Sequence, residues 1–171
     1  MQFWIVPFVL GAIYNIIKLR NVFYLKHINA INNNIRIRLL DSFSDHTELS
    51  TYVNQLGWKQ LKPVFYKFVD SKPDMKVKAD NVRMNGLILS SLADAAILSL
   101  IGVPLYVGFY CWKDSLYYLI PLGICLVVFL ASYLLLPLAR NKHIEYSDEQ
   151  IDSIISNYKG ELEESLMNLT K

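Results

Sequence analysis

A single carboxylate, Asp94, interrupts a run of otherwise uncharged residues from Gly86 to Trp112. A carboxylate within an apolar helix is costly, and by default it marks an ion path, a proton relay or a buried partner. Ser91, Ala95 and Ser99 surround it at four-residue steps. Ser91 and Ser99 add hydroxyls to this intramembrane polar set, and small side chains at that spacing form a helix-packing stripe. Depth decides which chemistry is open to Asp94. It lies 18 residues before Trp112, about 27 Å along a helix. With Trp112 at one bilayer interface, Asp94 falls near the opposite edge of the hydrocarbon. There it meets headgroup water or a pairing cation, Arg83 or Arg140. A structural, interfacial carboxylate is the first expectation and an ion-handling group the second.

The other reactive residue types assemble no catalytic set. Cys111 and Cys125 both sit in apolar runs, without a CxxC or Cys/His spacing, so neither a metal site nor a disulfide framework is expected. The seven glycines do not cluster into a phosphate-binding loop, and no cofactor is expected. The histidines are His27, His46 and His143. Arg20 and His27 have six residues between them, which resembles the Arg-x4–6-His spacing of the HEPN ribonucleases and would imply a membrane-tethered RNA-cleaving enzyme. A basic juxtamembrane helix places the same two residues beside anionic lipid, and that reading is preferred. Lys59, Lys62 and Lys67 interleave with Trp58, Phe65, Tyr66 and Phe68. Such a mixture suits a membrane surface or a solvated face over a core better than nucleic acid in this setting.

The elements that position these residues follow from the apolar blocks. The 171-residue chain is 53% hydrophobic yet 19% charged, a combination that requires segregation of the two classes. Ser115–Leu138 has no charge over 24 positions, and Ala95–Trp112 none over 18. Each is long enough to cross a bilayer. Only Lys113 and Asp114 separate them, so they must form an antiparallel hairpin, with spans at about 86–112 and 115–138 inside a section 83–139. Met1–Ile17 is uncharged but diluted by Gln2, Gly11 and Asn15. It is expected to be a third span, with an interfacial helix anchored by Trp4 and Tyr14 as the alternative. Lys18, Arg20, Lys26, Lys76, Lys78, Arg83, Arg140 and Lys142 flank the spans on one side, which the positive-inside rule assigns to the cytoplasm.

Residues 18–82 form a basic cytoplasmic section. Ile28, Ile31, Ile35 and Leu39 recur at helical spacing, although Asn32–Asn34 weakens the pattern and leaves a turn followed by a strand at Ile35–Leu40 as the alternative. Asp45 and Glu48 read as a capping box for a helix carrying Leu49, Tyr52, Val53 and Leu56, ended by Gly57. A second helix is expected from Trp58 or Pro63 to Asp70, with Leu61, Val64, Phe65 and Phe68 inward. Ser71–Asp80 reads as a polar linker. Residues 140–171 form an acidic tail, whose helix is expected to open at a Ser147/Gln150 capping box. Ile151, Ile155, Tyr158, Leu162, Leu166 and Leu169 lie on it close to a heptad seam. That seam packs on its own chain, on another copy, or on the basic central section.

The fold class expected is all-α: an integral membrane protein with a two-helix transmembrane hairpin, an N-terminal third span and cytoplasmic helical segments. The location expected is a cell membrane, in a bacterium the inner membrane, with most of the soluble mass and the C-terminus cytoplasmic. The partners expected are membrane lipids and either further copies of the chain or another membrane protein, rather than nucleic acid. A non-enzymatic protein acting through protein contacts is the first function reading and a homo-oligomeric pore the second. Small two-span effectors of bacterial defence systems, the SLATT group, have a similar layout.

Overall fold

The computed structural model describes residue 11 and residues 13–42 and 55–169. Among these residues every regular element is helical: α1 (Asn21–Asp41), α2 (Trp58–Ser71), α3 (Lys76–Lys113) and α4 (Leu119–Met167), with 3-10 turns at Pro73–Met75 and Leu116–Tyr118. Residues 13–17 form a short helical stretch before α1. Among the described residues two helices, Pro73–Lys113 and Leu116–Met167 with their leading turns, are long and apolar enough to cross a membrane. Most of Met1–Ile17 lies outside the described residues. So do His46, the Asp45/Glu48 box, and the helix expected through Leu49, Tyr52 and Val53. The chain divides into two compact units, Met1–His27 with Ile88–Leu138, and Ile28–Leu87 with Ala139–Lys171.

In the first unit the hairpin reverses at Asp114, whose φ of 46° is left-handed and whose amide donates to the Tyr110 carbonyl at 2.9 Å. Phe109 stacks on both Trp112 and Tyr118 beside this turn. Leu89, Ala93, Ala96, Ile97 and Leu136 are buried, whereas Leu98, Leu105, Ile120, Ile124, Val127 and Leu134 are exposed. Phe23 meets Phe129 edge-on at 6.1 Å, so the N-terminal segment also packs on α4. A Cβ on Gly102 would come within 2.7 Å of Cys125 Sγ, closer than real side chains approach. Gly102→Ala is therefore expected to destabilise the chain by about 1 kcal/mol, the low end for overpacking because a thiol can swing aside. Adding Cys125→Ala should return most of it, as read by thermal melting in mild detergent.

Among the described residues the second unit has four helical segments. α1 runs unbroken through Asn32–Asn34 with Ile31, Ile35 and Leu39 buried, so the strand alternative at Ile35–Leu40 is excluded. Asn34 has a partner, donating to Asp148 Oδ1 at 2.8 Å, which offsets the low helix propensity of Asn. α2 buries Leu61, Val64, Phe65 and Phe68 as the periodicity predicts. Lys59, Lys62 and Lys67 are exposed on its other face. Gly57 is the N-cap of this helix, and its amide donates to the Gln60 side chain at 2.9 Å. The linker expected at Ser71–Asp80 shrinks to Lys72 and one 3-10 turn. Pro73 can open such a turn because its missing N–H would be unpaired there in any case. Met75 is buried in that turn, and Ala79 on the helix that follows it.

The tail departs further from expectation. Ser147 and Gln150 cap nothing: α4 passes through them without a break, and both are buried. Ile151, Ile154, Leu162 and Leu166 are buried within the unit, Ile155 and Tyr158 are half-buried, and Leu169 is exposed. Tyr158 leaves helical geometry (φ −135°, ψ 24°). Its hydroxyl donates to Asp74 Oδ1 at 2.8 Å, and Lys72 Nζ lies 4.2 Å from its ring centre. The acidic tail and basic section meet through Arg38 with Asp152, Lys72 with Glu161 at 2.8 Å, and Lys78 with the Glu149 carbonyl at 3.1 Å.

His143, Ser147 and Gln150 share one face of α4 at steps of four and three. His143 Nδ1, Ser147 Oγ and Gln150 Nε2 are buried without a hydrogen-bond partner among the described residues. Burial pushes the His143 pKa below its ordinary 6.5. The unfolded chain thus binds this proton more tightly, and stability rises with pH. The contribution is complete above pH 6.5 and is lost as pH falls through that value toward the depressed folded one. The wild type is expected to lose more melting temperature between pH 7.5 and pH 5 than His143→Asn does, a comparison that cancels the carboxylates common to both.

Candidate functional site

The polar site of the first unit is built on a helix end. Leu19 N donates to the Tyr14 carbonyl at 3.3 Å and Lys18 N to the Asn15 carbonyl at 3.2 Å. This nested pair is a Schellman termination, in which the penultimate position turns left-handed and usually carries glycine. Here that position is Lys18, with φ 53°. The turn ends the short helical stretch, swings Arg20 to its far side and lets α1 begin at Asn21.

Asp94, on α3, receives both products of this geometry. Arg20 Nε donates to Asp94 Oδ1 at 2.7 Å, and the Tyr14 hydroxyl donates to the same oxygen. The side chains remain partly accessible, 43% for Arg20 and 28% for Asp94. A carboxylate that accepts from both a guanidinium and a phenol is held in place, which makes it an anchor between the N-terminal segment and α3. A cavity of about 120 Å³ opens beside it, lined by Tyr14, Asn15, Lys18, Arg20 and Asn21.

The expected partners Arg83 and Arg140 are engaged elsewhere. Arg83 bonds Asp70 at 3.0 Å, and Arg140 bonds the neighbouring Asn141 at 2.8 Å. Of the stripe around Asp94, Ser91 is exposed, Ala95 half-buried and Ser99 buried. The covered face of α3 in this unit instead runs through Leu89, Ala93 and Ala96. Sequence reasoning missed Tyr14 and Arg20 as partners. The available signal was depth: Arg20 follows the first apolar segment directly, at the level assigned to Asp94. Arg20, half of the Arg/His spacing, is bonded to Asp94, and His27 lies further along α1. Comparison of the chain with protein-family models, with curated proteins and with solved structures finds no match.

Proposed function

We propose that this chain is a non-enzymatic integral membrane protein acting through protein contacts, as a subunit of a membrane complex or an immunity- or exclusion-type factor. The observation that carries the reading is the apolar surface of the hairpin. Leu98, Leu105, Ile120, Val127 and Leu134 are all more than half or about half exposed, an arrangement that water penalises and lipid does not. In this reading Trp112 and Tyr117, both largely exposed, sit in the aromatic belt of the outer interface. Met1–Ile17 supplies a third span, and the basic flanks keep the second unit in the cytoplasm. The anchor at Asp94 fastens the N-terminal segment to the hairpin.

Extraction in gentle detergent, followed by measurement of the size and composition of the complex, tests the proposal. A second protein should co-purify at fixed stoichiometry, the chain should resist carbonate washing, and reporter fusions at positions 50 and 171 should report the cytoplasm. A lone monomer, or either reporter outside, overturns it. A homo-oligomeric pore is the second reading, favoured by the exposed Ser91 one turn from Asp94. It requires a pure homo-oligomer that makes vesicles leaky, with the leak altered by Ser91→Leu.

A further inference from the structure

We infer that the cavity at the Lys18 turn is a binding site for one phosphate group, supplied by an anionic lipid headgroup of the cytoplasmic leaflet; the lipid source rests on the membrane reading above. Three observations converge. The cavity, about 120 Å³, is lined by two cations and by Tyr14, Asn15 and Asn21, with no carboxylate among the described lining residues; the Asp94 carboxylate beside it is held by Arg20 and Tyr14. Its level is set by the Arg20–Asp94 bond. Asp94 is about 27 Å along α3 from Trp112, so the cavity lies where the hydrocarbon gives way to headgroups. Finally, Lys18 occupies a left-handed position with φ 53° that glycine would fill without cost. Backbone strain retained at one residue points to a use for its side chain. Lys18 has no ion-pair partner among the described residues, while Arg20 donates to Asp94 through Nε and also engages the Tyr14 hydroxyl, which leaves only the remaining N–H donors of its guanidinium for phosphate oxygens. A fixed guanidinium fork beside a mobile ammonium is a recurrent means of holding phosphate.

Lys18→Gly removes the cation and keeps the turn, so loss of binding and loss of fold separate. The full chain, purified in mild detergent, is titrated with phosphatidylglycerol, with phosphatidylcholine and with inorganic phosphate, and bound ligand is counted by native mass spectrometry. Phosphatidylglycerol is expected to bind wild type about fivefold more tightly than Lys18→Gly, the effect of one lysine at an anionic surface. Lys113→Ala, at the other end of α3, should leave that binding unchanged, and Lys18→Gly should melt no lower than wild type. Equal phosphatidylglycerol binding by wild type and Lys18→Gly overturns the inference. Lys18-dependent binding of inorganic phosphate without preference for the anionic lipid overturns the lipid source and leaves a free-phosphate site. Carbonate washing is run in parallel: a chain that washes off the membrane fails the membrane reading, whereas one that stays but binds lipid independently of Lys18 fails only the inference.

Discussion

Arg20→Leu is expected to lower the unfolding free energy of the detergent-solubilised chain by about 2 kcal/mol, the scale of a hydrogen bond to a charged group. The loss comes less from the missing bond than from Asp94, left on an apolar helix with the Tyr14 hydroxyl as its remaining partner among the described residues. The asymmetry gives a sharper test. Asp94→Leu removes the costly group along with the bond, so it should destabilise less than Arg20→Leu. The Arg20→Leu/Asp94→Leu double variant should recover most of the loss. A double-mutant cycle by thermal melting should show a coupling of about 1–2 kcal/mol. Additive effects would mean that Asp94 is solvated on its own and anchors nothing.

Asp94 also shows how far the sequence carries. Its expected cost and its distance along α3 from Trp112 follow from spacing alone, because rise per residue is a general quantity. Its partner does not follow so directly. In the sequence Arg83, Arg140 and Arg20 each stand close to the end of an apolar run. The choice among them depends on which helix lies beside α3, and on a Lys18 turn that no propensity scale assigns to lysine. A left-handed lysine is visible only in the backbone.

The helices divide along a similar line. α2 was legible because Leu61, Val64, Phe65 and Phe68 make one face without competing signals. Elsewhere local signals gave way to packing. Ser147 and Gln150 match a capping pattern, yet α4 passes straight through them because flanking Ile151 and Ile154 are buried and a break there would expose both. Ser71–Asp80 looks like a linker because only Met75 and Ala79 of that stretch are buried. A helix with one narrow packed stripe is otherwise polar, and composition cannot separate it from a loop.

The tail yields the largest single-site effect. Ile154→Ala is expected to destabilise the second unit by about 2–5 kcal/mol, the cost of truncating a fully enclosed aliphatic side chain. Ile155→Ala should cost well under half as much. The heptad pattern ranks these neighbours the other way, since Ile155 lies on its seam and Ile154 does not. In the structure Ile154 is fully buried and Ile155 only half-buried. The departure from helical geometry at Tyr158 lets Leu162 and Leu166 return to the same core beyond it. The ranking therefore discriminates between two uses of the tail. If the face is packed within its own unit, Ile154→Ala lowers the melting temperature of the chain at every protein concentration. If the heptad seam instead receives another molecule, Ile155→Ala is the damaging change, and its effect fades on dilution as the complex dissociates.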